Sequence, residues 1–469
     1  MSNGHSVEKI GGTSMSRLGE VLDNVILQGR SPENLYGRIF VVSAFGGITN
    51  ALLSNKKTGE AGVFEHFAAS DPAWLKDLDR VRDLMCEIHG GFESLGLDLS
   101  KADAFVEERI EGVRSCLEDL MQVRSFGHLQ PENYLPACRE LLSAVGEAHS
   151  AFVTTQILLE RNVNARFLDL SCWRQTESLD LDTVIHRAFA DVDPEKEMPI
   201  VTGYVKCDVG IMTEFNRGYS EYTFSKICAL TGAREGVIHK EFHLCTGDPV
   251  LLGVEKVKII GHTNYDIADQ MSDMAMEAIH ARAAMEMKKQ DIPLRIKNAF
   301  EPSHPGTLIT RGYISEIPKV DMITGREDMV ALEVHDPQMV GEQGYDRRLL
   351  IALEDAGISY ICKCTNANTI THIVPESHGL TEQCADRIRE IFPAAVVRTL
   401  PVALIAVLGT HLPFPRVIAD ASLALQQAHV DILALSQATR RVSLQLVVER
   451  GQSRTAQLAL HRALVEAVE

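Results

Sequence analysis

Short apolar runs and helical periodicities alternate along the first two thirds of the chain. Ser6–Ile10 reads as a brief strand running into Gly11-Gly12-Thr13-Ser14. Met15, Leu18, Val21, Leu22, Val25 and Ile26 then share one face of a 3.6-residue repeat, which predicts a helix with Thr13 or Ser14 as N-cap. Residues 38–44 (RIFVVSA) are apolar and β-branched, a buried-strand pattern that ends at a second glycine turn, Phe45-Gly46-Gly47. Strand, glycine turn, helix and buried strand in that order open a mainly parallel α/β sheet. From 64 to 161 the text is helical, with a start at Asp71-Pro72 and a break at Gly90-Gly91. Strands are expected at 165–170, 199–205, 210–213 and 236–242, helices at 220–230 and 267–289, and closing strands at 294–297 and 307–310.

Beyond Arg326 the grammar changes. A strand at 329–335 precedes a helix at 346–356 with Leu349, Leu350 and Leu353 inward. Strands at 359–364 and 369–374, a helix at 381–391 and a strand at 395–399 follow. The order recurs with a strand at 403–408, a helix at 415–428, strands at 431–436 and 442–448, and a helix at 453–467. This is βαββα written twice, the ferredoxin-like pattern. The expected division is an α/β domain over 1–320, then small units at 326–399 and 400–469.

Composition narrows the partners. At 469 residues the chain exceeds one core. A formal net charge of -18 disfavours nucleic acid and anionic lipid, both of which ask for a basic face. The ten cysteines include no C-x-x-C pair, so no metal centre is expected. No apolar run reaches about 18 residues and no basic-then-apolar leader is visible. The expectation is a cytoplasmic protein with reduced thiols.

Four clusters carry candidate chemistry. Lys9 precedes Gly11, Gly12, Thr13 and Ser14, where glycine amides and a helix N-terminus approach phosphate oxygens. Ser43, Gly46, Gly47, Thr49 and Asn50 lie where the next buried strand ends, the edge at which open α/β sheets bind ligands. Gly146-Glu147 places a carboxylate inside a long helix, suited to an ammonium group. Arg217-Gly218-Tyr219-Ser220-Glu221 enters a helix, with Ser220 as expected N-cap and Arg217 able to clamp a carboxylate with its planar fork. Each cluster has an ordinary structural explanation when taken alone: a tight turn, a capped helix or a solvated side chain.

Together and in order, the clusters resemble the aspartate kinases of the amino-acid kinase superfamily. The resemblance runs from Glu8-Lys9-Ile10-Gly11-Gly12-Thr13-Ser14 through Val42-Ser43-Ala44-Phe45-Gly46-Gly47 and Val145-Gly146-Glu147. It continues in Arg217-Gly218-Tyr219-Ser220-Glu221-Tyr222 and in the stretch from Ile292-Pro293 to Gly306-Thr307. It implies a three-layer amino-acid kinase domain followed by tandem ACT domains, ATP and Mg2+ as cofactors, and L-aspartate as substrate. It further implies a homodimer or higher homo-oligomer through the ACT domains. By the same resemblance Lys9 stabilises the transferring phosphoryl group, with Glu221 beside it as the second catalytic residue. Ser43, Thr49 and Ser220 attend the substrate, Glu147 its ammonium and Arg217 its α-carboxylate. The loops of Gly11, Gly12, Thr13, Ser14, Gly46 and Gly47 attend the nucleotide, as do Lys240 and Glu241. The chain departs from the family pattern at Tyr219, at Glu221 (usually aspartate) and across His239-Lys240-Glu241-Phe242-His243, features similar to the divergent aspartate kinases associated with ectoine biosynthesis. Two alternatives stand beside this: a kinase of the same fold acting on another amino-acid carboxylate, and a non-catalytic ACT amino-acid sensor.

Overall fold

The computed structural model describes residues 4–55, 58–127, 129–215, 218–274, 276, 279–377 and 379–467. The chain divides into two units, Met1–His243 with Ile279–Thr310, and Leu244–Ala278 with Arg311–Glu469.

In the first unit the sheet contains β1 (Ser6–Ile10), β2 (Arg38–Val42), β3 (Ala165–Leu168), β4 (Met198–Thr202) and β5 (Glu235–Lys240). They run in the order β3-β4-β2-β1-β5, and Leu294–Asn298 then Thr307–Thr310 continue the sheet beyond β5. Pairing is parallel as far as Leu294–Asn298, and Thr307–Thr310 adds antiparallel. Every residue of β1, β2 and β4 is buried, as a parallel sheet covered on both faces requires. The helical text between the two halves of the sheet resolves into Ala73–Gly90, Leu99–Ser125 and Pro131–Glu160.

In the second unit the two βαββα repeats share one six-stranded antiparallel sheet. Helices Tyr345–Asp355 and Leu380–Ile391 bury Leu349, Leu353 and Ile388 with Val334 and Val374. Arg416–Gln427 and Ser453–His461 pack Val417, Leu425 and Leu460 against Ile405 and Leu446 of a second small core. Among the described residues no helix is long and apolar enough to cross a membrane.

Several expectations need correction. Neither Thr13 nor Ser14 caps the first helix: Gly11 does, and the expected single helix is broken into Gly12–Met15, Leu18–Val21 and a wider-wound turn at Leu22–Leu27. Its apolar face is nevertheless right, since Met15, Leu18, Val21, Leu22, Val25 and Ile26 are all buried. The expected strand at 210–213 is a helix, Ile211–Phe215. The helix expected over 267–289 is two helices, Tyr265–Asp273 and Ala281–Lys289. The strands expected at 395–399 and 403–408 are one strand, Val396–Leu408, which pairs along its length with Met322–His335.

Candidate active site

Parallel pairing brings the C-terminal ends of β1, β2, β4 and β5 side by side, so their following loops converge on one edge. The Ser43 N–H donates to Ile10 O at 3.1 Å, and the Gly203 N–H to Val42 O at 3.1 Å, tying neighbouring loops to the strand ends. The two glycine loops also touch. The Gly46 N–H donates to Ser16 Oγ at 2.9 Å, and a Cβ on Gly12 would stand 2.9 Å from Ala44 O. No larger residue fits at Gly12 without parting the loops.

Lys9, on the penultimate residue of β1, is buried with its ammonium 3.7 Å from Glu221 Oε1. Glu221 is held in turn, its Oε2 accepting the His280 backbone N–H at 2.6 Å. Glu221 sits in the first turn of Tyr219–Thr231, whose N-cap is Gly218 at φ 128°. Ser220 is therefore not the cap. Its hydroxyl turns inward and donates to Glu147 Oε1 at 2.7 Å.

Glu147 is the strongly perturbed carboxyl of the site. It is 2% exposed on the Pro131–Glu160 helix, and its Oε2 has no hydrogen-bond partner among the described residues. Burial pushes its pKa up to about 8, against the Ser220 hydrogen bond, the Lys9 charge and the nearby Tyr204 backbone N–H. Gly203 makes this approach possible, since a Cβ there would lie 2.7 Å from Ser220 Cβ and 3.0 Å from Glu147 Oε2.

The structure thus joins Lys9, Glu221, Glu147 and Ser220 in one buried polar cluster. It joins Ser14 to Glu241 separately, through a 2.9 Å hydrogen bond from the Ser14 hydroxyl. Gly11 borders the same carboxylate, and Lys240 ends β5 half-buried beside it. Thr13 is exposed. Ser43 is fixed through its backbone, its carbonyl accepting the Ser150 hydroxyl at 2.8 Å. Thr49 is half-buried in the first turn of Ile48–Leu52, which follows Gly47 at φ 90°. Arg217, with Asn216, lies outside the described residues.

One supporting group escaped the sequence analysis, and a second lies elsewhere than its segment suggested. Glu140, two turns before Glu147, accepts the Met212 and Thr213 N–H groups at 2.7 and 3.0 Å and the Tyr204 hydroxyl at 2.9 Å. It holds the segment between Gly203 and the 211–215 helix, and only its helical spacing from Glu147 hinted at a role. His239, expected within a nucleotide segment, instead turns beneath the sheet to Glu8 Oε2 at 2.7 Å. A cavity of about 560 Å³ beside Gly47 and Asn50 is lined by Glu60, Asp77, Arg80 and Glu87 and does not include Lys9, Glu147 or Glu221.

Residues 6–298 match the amino acid kinase family. The chain is 45% identical over 464 residues to Aspartate kinase Ask_Ect of Stutzerimonas stutzeri (strain A1501), covering 98% of each chain. It is 23% identical to chloroplastic Aspartokinase 1 of Arabidopsis thaliana, over 98% of this chain and 80% of that protein. Its fold matches E. coli aspartokinase III solved with aspartate and ADP, with a TM-score of 0.72 at 18% identity, covering 98% of this chain and 99% of the other. The chain belongs to the amino acid kinase family, among its aspartate kinases.

Proposed function

We propose that the chain transfers the γ-phosphoryl group of ATP to the side-chain carboxylate of L-aspartate, giving 4-phospho-L-aspartate and ADP. The observation that carries this is the buried cluster of Lys9, Glu221, Glu147 and Ser220 at the strand ends between two interlocked glycine loops. A carboxylate oxygen attacks phosphorus as the bond to the β-phosphate oxygen breaks. The nucleophile is already deprotonated near neutral pH, so no general base is required. What the protein must supply is alignment and charge neutralisation.

The residues divide that work. Lys9 faces the transferring phosphoryl group, with Glu221 setting the position of its ammonium. Glu147 receives the aspartate ammonium, aided by Ser220, and Arg217 clamps the α-carboxylate. Ser43 and Thr49 orient the reacting carboxylate. The glycine loops, Lys240 and Glu241 attend the nucleotide. The position of Glu241 at the first glycine loop suits Mg2+, which binds through one or two carboxylates together with substrate phosphates and neutralises their charge. The βαββα pair fits tandem ACT modules that join subunits, and the likeness to Ask_Ect supports a place in ectoine biosynthesis.

The test is to incubate the full chain with ATP, Mg2+ and aspartate and trap the acyl phosphate with hydroxylamine. Aspartyl hydroxamate should form, and Arg217→Lys should raise the aspartate KM about tenfold by losing bidentate geometry. Hydroxamate from glutamate but not aspartate would point to the kinase of another carboxylate, and none from either would leave a sensor.

A further inference from the structure

Successive residues of a strand face opposite sides of a sheet, so the row beginning with Glu8 lies on the face away from Lys9. On that second face, Glu8 of β1, His239 of β5 and Lys297 of Leu294–Asn298 line a cavity of about 180 Å³. The central strands of a parallel sheet ordinarily present apolar side chains to both covering layers. Here the lining is charged, and unevenly so. Arg30, Arg38, Arg234, Arg295 and Lys297 face Glu8 and Glu235, five cations against two carboxylates, in a chain of net charge -18.

Both carboxylates are already engaged. Glu8 takes Arg38 through bonds of 2.6 and 2.9 Å and the His239 Nε2 at 2.7 Å. Glu235 takes Arg295 at 2.8 Å. Among the described residues, the hydrogen-bond partners of the remaining three cations are neutral. Lys297 Nζ donates to Pro302 O at 3.2 Å, Arg234 to Gly4 O at 2.9 Å, and Arg30 to Gln28 Oε1 at 3.1 Å. Burial holds the Lys297 ammonium below its ordinary range, and Arg295, Arg30 and Arg38 add to that against the pull of Glu8.

We infer that this cavity is a binding site for a small phosphoryl oxyanion, separate from the catalytic edge, with Arg30, Arg234 and Lys297 as its ligands. An excess of three positive charges matches an anion of charge two or more better than a monocarboxylate. Guanidinium forks and an ammonium are the groups that recognise phosphate oxygens.

The test uses the full-length protein, with inorganic phosphate and pyrophosphate as probes and sodium chloride at matched ionic strength as control. Either anion should raise the melting temperature and bind at one site by calorimetry, and the better of the two reports whether one or two phosphoryl groups fit. Lys297→Met and Arg234→Met should each weaken that binding about tenfold or more, the loss expected for a charge-assisted hydrogen bond. Both variants lie outside the machinery proposed for catalysis, so each is first checked for an unchanged melting temperature in chloride. No phosphate-specific stabilisation, or equal binding in both variants, overturns the inference. Displacement by saturating MgATP does too, since the anion would then occupy the nucleotide's own phosphate site.

Discussion

If Glu147 receives the aspartate ammonium as proposed, the affinity for aspartate depends on pH, and Ser220 sets where. With its pKa pushed up to about 8, the free protein at pH 7 holds this carboxyl mostly protonated. Pairing with the aspartate ammonium requires the anion, so binding at pH 7 must first remove a proton. That costs about 1.4 kcal/mol for the one unit between pH and pKa, or about tenfold in KM. The aspartate KM should therefore fall about tenfold per unit as pH rises toward about 8, then level off, while the ATP KM stays flat. Ser220→Ala removes a hydrogen bond of 2.7 Å to the ionised form, worth about 1.5 kcal/mol on the scale of bonds to charged groups. The break in the profile should then move up by about one unit, with KM at pH 7 raised about tenfold and kcat changed less. Initial rates of ADP release from pH 6 to 9, fitted separately for each substrate, decide the matter. An aspartate KM independent of pH over that range, in both proteins, would refute the assignment of Glu147 to the ammonium. The same group also predicts a stability trend. A carboxyl whose folded pKa is raised stabilises the fold fully below its unfolded value near 4.5 and loses that contribution as pH climbs through about 8. The unliganded melting temperature should fall across that window, and Glu147→Gln should flatten it.

Two further outcomes follow from the site. Lys9→Met should lower kcat roughly 10²–10³-fold with little change in the aspartate KM, as for a charge that acts mainly in the transition state, and steady-state rates at saturating substrates check it. Gly203→Ala should raise the aspartate KM more than the ATP KM, because its methyl would occupy space 2.7 Å from Ser220 Cβ; equal effects on both would indicate general distortion.

Much of the first unit was legible because its signals are local. The buried runs of β1 and β2, the glycines at their ends and the apolar face from Met15 to Ile26 need no distant partner to be recognised. The errors lie where a distant contact decides. Ile211–Phe215 is a short apolar run that periodicity cannot assign, and its first amides are satisfied by Glu140, some 70 residues earlier. Ser220 has the look of an N-cap, yet the cap falls at Gly218 and the hydroxyl is claimed by Glu147, 73 residues away. Pro401 invites a break between two strands, but Val396–Leu408 accommodates it opposite Val330, with the register slipping just beyond, between Val402 and Leu404. The inward turn of His239 depends on Glu8 and Arg38, which alternation puts on one face only once the pairing of β5 and β2 with β1 is known.

The Pro131–Glu160 helix links these observations to function. It passes beneath the converging loops and meets them at successive turns through Glu140, Gly146, Glu147 and Ser150. Glycine in a helix interior costs about 1 kcal/mol relative to alanine, so its presence at 146 calls for a compensating contact. The contact is the second glycine loop: a Cβ at that position would stand 2.9 Å from Ala44 Cβ and 3.1 Å from Ile48 Cγ2. Close packing there brings the following residue, Glu147, to the strand ends, and Ser150 locks the arrangement by donating to Ser43 O. Glu140 meanwhile anchors the chain between Gly203 and Phe215. Substrate groups at both ends of a four-carbon amino acid must be held at once if its side-chain carboxylate is to meet phosphorus in line. On the roles proposed above, one helix that touches the Ser43 loop, carries Glu147 and anchors the 204–213 segment would supply that coordination. Its glycine, two glutamates and serine are for this reason read better as one device than as separate motifs.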